Sequence, residues 1–493
     1  MLLKHKIISG VKWNTVGKIS NQILNFVLSV ILMRLLLPSD YGLLAMAMVF
    51  IGFATIFSEF GFSSALIQNQ NINNSHKSSI FWLNIVIGSI FTFLLFIFAD
   101  KFASFYEIEK LTLLIKYLSF SFIISSFSIV PSALLQKEMN YSALNKIDVS
   151  LVILSGSVSV YLAFNGWGVM SLVFQYLTTQ LLRIPLVFLA SKWYPQLIFS
   201  KDSIKELFSY SAYLSGFNII NYWARKSDDL LIGKFMGADS LGIYSRAYSL
   251  MLLPISQVIS LISNVMFPAM SLIQYDKERV KSIFLRVIQI LAFITFPIMI
   301  GLIATADNFV LGIFGKKWSE VIPIIQILAF VGVIQTLSNP VGWIYTSQGK
   351  TKLMFWWGVF GSGSVIVAII IGVVIGSIYS VAIAYLIVSI LLIYPVIRIS
   401  GKIINMKFTE VVKKVFPVLI TSLIMSAVIY LAGLILPASI SAIAKLSLQV
   451  ILGMLIYFFI MWYFKIESFT NIKELISEQF NNFYMDKSPA DKL

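Results

Sequence analysis

Residues 213–249 read YLSGFNIINYWARKSDDLLIGKFMGADSLGIYSRAYS, and this charged stretch lies inside a chain that is otherwise almost entirely apolar. Charged groups at membrane depth are costly, so by default they mark a water-filled cavity or pathway. A local ion pair between Arg225 and Asp228 or Asp229 is the alternative, because these positions are three or four residues apart on a helix. The charged side chains of the stretch are Arg225, Lys226, Asp228, Asp229, Lys234, Asp239 and Arg246.

The composition identifies a polytopic membrane protein. Of the 493 residues, 58% are hydrophobic and 12% are charged, and the mean hydropathy is +0.88. Segments of roughly 20 or more mainly apolar residues, each long enough to span a bilayer as a helix, number about fourteen. We predict these spans near 13–37, 43–66, 79–99, 112–135, 147–164, 167–190, 209–235, 242–268, 283–306, 321–346, 353–375, 378–400, 411–436 and 441–464.

Several function classes are excluded by what the sequence lacks. The chain has no cysteine and only two histidines, so we expect no disulfide framework, no metal centre and no Cys or His nucleophile. We expect no enzyme and no cofactor. The net charge of +15 is spread over helix ends and forms no arginine-rich domain, so we expect no nucleic-acid partner. The apolar segment after the N-terminal KHKIISGVK is too long for a cleavable signal peptide.

The loop charges predict the orientation. With alternating spans, Lys and Arg are several-fold more frequent in the loops on the N-terminal side than in the opposite loops. Positively charged loops remain in the cytoplasm, and an even number of spans returns the chain to its starting side. We therefore expect a multi-pass protein of the bacterial cytoplasmic (inner) membrane with both termini cytoplasmic.

The chain also contains an internal repeat. Residues 34–47 read RLLLPSDYGLLAMA and residues 234–247 read KFMGADSLGIYSRA, so that Gly42 aligns with Gly242 at an offset of 200 residues. Internal duplication is typical of transporters. We expect an all-α protein of two pseudo-symmetric six-helix lobes plus two C-terminal helices. The predicted parts are an N-terminal lobe (1–190), a cytoplasmic linker (191–208), a C-terminal lobe (209–400), helices 13 and 14 (401–464) and a cytoplasmic tail (465–493).

The first and seventh predicted helices carry matching polar stripes at helical spacing. Two such faces indicate a shared cavity, although ordinary hydrogen bonding between helices by buried Asn is the alternative. Glu59 lies within the second predicted span, where it is either paired, protonated or functional, and the polar line continues down the eighth span. The candidate cavity residues are Asn14, Lys18, Asn21, Asn25, Glu59, Asn218, Asn221, Arg225, Asp228, Asp229, Arg246, Gln257 and Asn264.

Three runs carry a family resemblance: RLLLPSDYGLLAMA (34–47), SEFGFSSALIQ (58–68) and RKSDDLLIGKFMGADSLGIYSRAYSLMLLP (225–254). They resemble bacterial polysaccharide flippases of the O-antigen, colanic-acid and teichuronic-acid type. These belong to the superfamily of multidrug, oligosaccharidyl-lipid and polysaccharide exporters. The resemblance implies fourteen helices in two lobes, alternating access, and transfer of an undecaprenyl-pyrophosphate-linked oligosaccharide to the outer leaflet. It implies membrane lipids as partners and leaves open other polysaccharide assembly proteins, and H⁺ or Na⁺ as a coupling ion.

Two other functions compete with this one. A drug or cation antiporter of the same superfamily would favour an acidic cavity, whereas Lys18, Arg225 and Arg246 balance the candidate carboxylates. A membrane-embedded glycan polymerase or ligase would need a sizeable outer loop to hold an acceptor. The longest outer segments predicted here, near 100–111 and 307–320, are too short to form a domain.

The predicted topology is testable by thiol labelling in the cysteine-free background. Single cysteines at Asn71, Ser200 and Gln274 lie in the predicted cytoplasmic segments 67–78, 191–208 and 269–282. An impermeant maleimide added to intact spheroplasts should label none of these cysteines until the membrane is permeabilised. Labelling of any of them in intact spheroplasts would contradict the orientation.

Overall fold

The computed structural model describes residues 2–59, 61–69, 71–437, 439–467 and 469. Within the helices, the side chains of residues 2–16, 59, 206–221, 224, 225, 261, 264, 265 and 267 lie outside the described part. Over the described residues the chain forms helices and no strand. A helix satisfies its own backbone hydrogen bonds, which is what a segment surrounded by hydrocarbon requires.

The helices follow the predicted apolar segments closely. In chain order they are α1 (Leu2–Leu35), α2 (Pro38–Glu59), α3 (Phe62–Gln68), α4 (Asn74–Tyr106), α5 (Lys110–Lys137), α6 (Tyr141–Phe164), α7 (Val169–Ser191), α8 (Lys201–Leu272), α9 (Lys277–Phe309), α10 (Val321–Ser338), α11 (Val341–Ser347), α12 (Thr351–Ile375), α13 (Ile378–Gly401), α14 (Phe408–Ile435) and α15 (Ala442–Tyr463). The all-α, multi-pass prediction is confirmed.

The part of the chain that the structure describes supports fewer membrane spans than the fourteen that the sequence predicts. In the described part of the chain, 11 helical segments are long and apolar enough to cross a membrane. The three remaining predicted spans, 13–37, 209–235 and 242–268, lie in α1 and α8, which are not among the 11. The count of fourteen therefore stays a prediction.

The helix α8 is interrupted once, at Gly237. The backbone there has φ 83° and ψ −179°, a region that is strained for residues with a side chain and open to glycine. The sequence predicts one span ending near residue 235 and the next beginning near 242. Gly237 lies between them, so the break occurs where the sequence predicts a connection.

The contacts divide the chain into two compact units, residues 1–245 and 246–493. The first unit contains α1–α7 and the first part of α8, and the second contains the rest of α8 and α9–α15. The predicted boundaries of the two six-helix lobes, with a linker at 191–208, stay a prediction.

In the first unit, hydrogen bonds hold the loop between α7 and α8 against the start of α4. Two serines in the first turns of α4 accept hydrogen bonds from the loop backbone: Ser78 Oγ from the N–H of Gln196 (3.0 Å) and Ser79 Oγ from the N–H of Ser200 (2.8 Å). The indole N–H of Trp82 donates to the carbonyl of Gln196 at 2.8 Å. The segment predicted as a linker is thus a docked connection.

In the first unit, the backbones of α2 and α8 come into close contact. A Cβ added at Gly42 would lie 1.7 Å from the carbonyl oxygen of Ala238, and one added at Gly242 would lie 1.9 Å from that of Pro38. The contact is reciprocal, and its two halves are related by the offset of 200 residues found in the sequence. Only glycine allows two backbones to come this close.

The second unit has a large apolar core with polar links between helices. Tyr457 Oη on α15 donates to the carbonyl of Phe293 on α9 at 2.8 Å. Gln335 Nε2 on α10 donates to Tyr385 Oη on α13 at 2.9 Å. Within hydrocarbon such side-chain bonds between helices replace the missing contact with water, so these buried polar groups stabilise the packing.

The glycine contact leads to a stability prediction. Gly42→Ala and Gly242→Ala should each lower the stability of the purified protein by about 1–3 kcal/mol, the cost typical of overpacking. Thermal unfolding in detergent, followed by tryptophan fluorescence, measures this. The matched control is Gly358→Ala in α12, where an added Cβ meets nothing within 4 Å. Equal midpoints for all three variants would contradict a required glycine contact.

Candidate functional site

One buried polar face of α8 forms the best-defined part of the candidate site. Tyr222, Lys226, Asp229 and Gly233 are spaced at four, three and four residues, so they lie on one face of the helix. Asp229 is buried and Lys226 is half-buried. This face is offset by one residue from the polar stripe that the sequence predicts, which consists of Asn218, Asn221, Arg225 and Asp228.

The adjacent carboxylates Asp228 and Asp229 have different partners. Asp229 Oδ2 accepts from Lys226 Nζ at 2.6 Å, and the side chains are 10% and 40% exposed. Asp228 Oδ1 accepts from the backbone N–H of Asp229 at 2.9 Å. The described ion pair of Asp229 is therefore with Lys226, and the predicted pair of Arg225 with Asp228 or Asp229 stays a prediction, because the Arg225 side chain lies outside the described residues. The described pair cancels most of the charge that this face would otherwise bury.

Tyr222 fastens α8 to α2. Its hydroxyl donates toward the carbonyl of Val49 at 2.6 Å and lies 3.2 Å from that of Met48. A Cβ added at Gly52 would come within 2.6 Å of the same hydroxyl. Gly52 therefore gives the tyrosine access to the backbone of α2, and the hydrogen bond places Asp229 two turns further along α8.

Tyr106, at the end of α4, packs on the same face of α8. A Cβ added at Gly233 would lie 3.0 Å from its ring, and Gly233 is one turn beyond Asp229. The Tyr106 side chain is 4% exposed, and its hydroxyl has no hydrogen-bond partner among the described residues. A buried hydroxyl without a partner is destabilising, and because this oxygen is closed off from solvent, a ligand would reach it only if the surrounding side chains moved.

The polar stripe of α1 is partly visible. Asn25 is exposed and its Nδ2 donates to the carbonyl of Asn21 at 2.8 Å. Lys18 is exposed and Asn21 half-buried, whereas the side chain of Asn14 lies outside the described residues. The exposed polar groups of Lys18 and Asn25 fit a helix that has one face in contact with water.

The other predicted residues stay predictions. Arg246 and Gln257 are half-buried and lie in the second unit. The site therefore rests on the α8 face, and the full predicted constellation stays a prediction. The predicted residues whose side chains lie outside the described part, besides Asn14, are Glu59, Asn218, Asn221, Arg225 and Asn264.

Within the first unit, a second ion pair of α8 links this helix to the end of α4. Lys234 Nζ lies 2.6 Å from Glu107 Oε1, and Glu107 follows α4 in the left-handed conformation with φ 59°. The hydrogen bond from Lys234, together with its charge, holds the pKa of Glu107 below its usual range. Because both side chains lie near the helix end, this pair is a surface feature and not part of the buried face.

The candidate residues predicted from the sequence do not include four residues of this site: Tyr106, Tyr222, Lys226 and Gly233. Tyr222 shares the spacing of Asp229, so periodicity could have included it. Tyr106 is more than 100 residues away in the chain, and no local pattern connects it to α8.

In the described part of the chain no three His, Cys, Asp or Glu side chains are close enough to hold a metal ion. The α8 face of Tyr222, Lys226, Asp229 and Gly233 therefore provides hydrogen-bonding and charged groups for a ligand.

The chain matches a family of known sequences over much of its length. The model of the family described as "Polysaccharide biosynthesis protein" matches residues 31–323. The chain is 29% identical over 390 residues to the teichuronic acid biosynthesis protein TuaB of Bacillus subtilis, covering 78% of this chain and 80% of that protein. It is 30% identical over 394 residues to the lipopolysaccharide biosynthesis protein WzxC of Escherichia coli, covering 79% and 80%.

Solved structures show the same fold at low sequence identity. The lipid II flippase MurJ in an inward closed conformation superposes with a TM-score of 0.72 at 17% identity, covering 92% of this chain and 98% of that one. An inward-facing multidrug resistance transporter of the MATE family superposes with a TM-score of 0.62 at 14% identity, covering 78% and 94%. The fold is thus one that membrane transporters use.

The ion pair on α8 predicts an asymmetric effect of mutation. Lys226→Met leaves the buried Asp229 carboxylate without its partner and should cost about 1–3 kcal/mol of stability. Asp229→Asn leaves an ammonium that is already 40% exposed, so the loss should be smaller. The double variant should recover part of the loss seen in Lys226→Met.

Thermal unfolding of the purified variants measures these differences. The matched control is Asp100→Asn, which breaks a pair with Lys116 in which Asp100 is 67% exposed; exposed pairs contribute about 0–1 kcal/mol. If Lys226→Met unfolds at the wild-type temperature, the pair does not stabilise the buried face.

Proposed function

The chain belongs to the polysaccharide biosynthesis protein family, and from this premise we propose that it moves a lipid-linked oligosaccharide across the bacterial cytoplasmic membrane. The proposed substrate is an oligosaccharide repeat unit on undecaprenyl pyrophosphate, carried from the cytoplasmic to the outer leaflet by alternating access. The observation that carries the proposal is the family match over residues 31–323.

The relatives support a role in making surface polysaccharides. TuaB is named for teichuronic acid biosynthesis and WzxC for lipopolysaccharide biosynthesis. A third relative, ExoT of Rhizobium meliloti, is named a succinoglycan biosynthesis transport protein. The polymers differ and the family is shared, so a transport step common to their assembly is the activity that fits all three names.

The chemistry of the substrate matches a polar face flanked by cations. A pyrophosphate needs charge-assisted donors and a glycan needs hydroxyl and amide partners. Arg225 is the proposed pyrophosphate ligand, because a guanidinium offers forked donors to phosphate oxygens and the residue lies on the predicted polar stripe of α8. The hydroxyl of Tyr106 is a further donor with no partner among the described residues, which a ligand would reach only if the surrounding side chains moved.

A drug or cation antiporter is the weaker alternative. Such a transporter requires a carboxylate that is available to a cationic drug or to a proton. Of the adjacent carboxylates Asp228 and Asp229, the buried Asp229 is already paired with Lys226, and Asp228 accepts a hydrogen bond from a backbone N–H. The structure is similar to that of a multidrug transporter at 14% sequence identity. At this identity the similarity supports a shared fold and does not identify the transported substrate.

The remaining parts of the proposal follow from the sequence. We place both termini in the cytoplasm and assign no catalytic residue and no cofactor. We propose H⁺ or Na⁺ as the coupling ion. Partners are the lipid-linked oligosaccharide, the surrounding membrane lipids and other proteins of polysaccharide assembly.

Reconstituted vesicles test the function directly. The purified protein is placed in vesicles with a defined lipid-linked oligosaccharide, and the fraction accessible to an added glycosidase is followed with time. Protein-dependent exposure of the inner-leaflet pool is expected, and imposed pH or Na⁺ gradients then identify the coupling ion. Efflux of an organic cation without movement of the glycolipid would favour the antiporter.

Arg225 provides the sharpest mutational test of this function. A charge-assisted bond contributes about 1.5–3 kcal/mol, and each 1.36 kcal/mol is about tenfold in rate. Arg225→Ala should therefore slow transfer by roughly 10- to 150-fold, and Arg225→Lys should restore it in part, because an ammonium lacks the forked geometry. Lys352→Ala, at an exposed position in the first turn of α12, is the control.

Protein abundance must be measured with transport in every variant. Normal transport by Arg225→Ala at normal abundance would remove Arg225 from the site. A loss of transport that follows a loss of abundance, matched by Asp228→Ala, would assign Arg225 a structural role.

A further inference from the structure

An apolar cavity of about 520 Å³ lies in the first unit, between α2, α4 and the side chain of Trp223 on α8. Seven aromatic rings line its wall, those of Phe50, Phe53, Phe57, Phe91, Phe98, Phe102 and Trp223. Its volume falls in the range of about 300–1,000 Å³ that small-molecule sites occupy. We call it the α2–α4 cleft.

The α2–α4 cleft is elongated along its two helices. Phe50 packs on Phe102 with ring centroids 4.3 Å apart, and Phe57 packs on Phe91 at 6.1 Å. The pairs lie at opposite ends of the wall, since residues 91 and 102 are separated by about 16 Å of helix at roughly 1.5 Å per residue. A long apolar wall fits an extended hydrocarbon chain better than a compact solute.

The cleft opens onto the apolar surface of α4. Leu94 and Phe98 line the cleft and are each 40% exposed, and the neighbouring Phe93, outside the wall, is 65% exposed. In a membrane protein such an apolar helix surface contacts lipid. A chain can therefore enter the cleft sideways from the bilayer.

Positive charge lies beside the cleft. Lys101 Nζ is 5.4 Å from the centre of the Phe98 ring. The nearby carboxylate of Asp100 is bonded to Lys116 at 3.4 Å, so it does not cancel the charge of Lys101. The combination of an apolar slot and an adjacent ammonium is complementary to a lipid with one anionic phosphate head group.

We propose that the α2–α4 cleft binds the hydrocarbon chain of the polyprenyl carrier lipid, with the phosphate of a lipid bound there beside Lys101, a position separate from the proposed pyrophosphate contact at Arg225. The inference rests on the proposed function, and it adds a lipid-chain site in the first unit. The carrier has one long chain, and the cleft is one continuous slot. A two-chain phospholipid would have to leave its second chain outside.

Photocrosslinking tests the site in the full-length protein. A polyprenyl phosphate with a diazirine in its chain is incorporated in nanodiscs with the purified protein, irradiated, and the labelled peptides are mapped by mass spectrometry. Label is expected in residues 50–57 and 91–102, with competition by unlabelled polyprenyl phosphate. Equal labelling by a diazirine phosphatidylglycerol at the same mole fraction would show a general lipid groove and overturn the proposal.

Variants of the wall provide the matched comparison. Ala54→Phe fills the cleft and should lower labelling about tenfold, as expected of an overpacked site. Because Ala54 is 5% exposed, Phe98→Gln at a half-exposed position is the second variant and should also lower labelling. Phe93→Ala, on the same helix outside the wall, should label like wild type. Unchanged labelling in a folded Phe98→Gln protein would contradict the proposal.

The vesicle assay separates this inference from the proposed function. Glycolipid transfer without specific label in the two peptides would remove the cleft and leave the function standing. Specific label without glycolipid transfer would leave a polyprenyl site in a protein of another function. Lys101→Gln should lower labelling by the phosphate probe more than labelling by the matching uncharged polyprenol probe, because only the first has a negative head group.

Discussion

Hydrocarbon surrounds most of this chain, and every polar group that enters it must find a partner within the protein. The backbone meets this condition by forming helices. The side chains meet it by pairing across and along those helices, as Asp229 does with Lys226 and as Gln335 does with Tyr385. The apolar side chains fill the cores of the two units and also cover the outward-facing helix surfaces. A polar group left without a partner under this constraint, such as the Tyr106 hydroxyl, is therefore destabilising.

The candidate site and the α2–α4 cleft depend on the same placement of α8 against α2. Near residue 238 the two backbones are in contact through glycine, and further along α8 the Tyr222 hydroxyl is bonded to the α2 backbone. The next residue, Trp223, packs on Phe53 with ring centroids 5.0 Å apart. One helix contact therefore places the face of Lys226 and Asp229 and the apolar α2–α4 cleft within two turns of each other.

The sequence predicts the helices well and their mutual faces less well. Apolar length located the spans, and the break at Gly237 lies between two predicted segments. A single helix, however, cannot show which of two adjacent stripes meets a neighbour. The stripe read from the sequence passes through Arg225 and Asp228, whereas the face described here passes through Lys226 and Asp229, one residue further on. Tyr106 and the cleft arise from contacts between distant segments, which periodicity does not contain.

The glycine contact between α2 and α8 has a consequence for the origin of the chain. Gly42 faces the carbonyl of Ala238, and Gly242 faces the carbonyl of Pro38, so exchanging the two repeats maps the contact onto itself. An isologous contact of this kind is what two identical subunits form across a two-fold axis. Since both partners are backbone atoms, a half-length ancestor needed only its glycine to form the contact with a second copy of itself. Gene fusion would then have preserved an existing dimer interface inside one polypeptide.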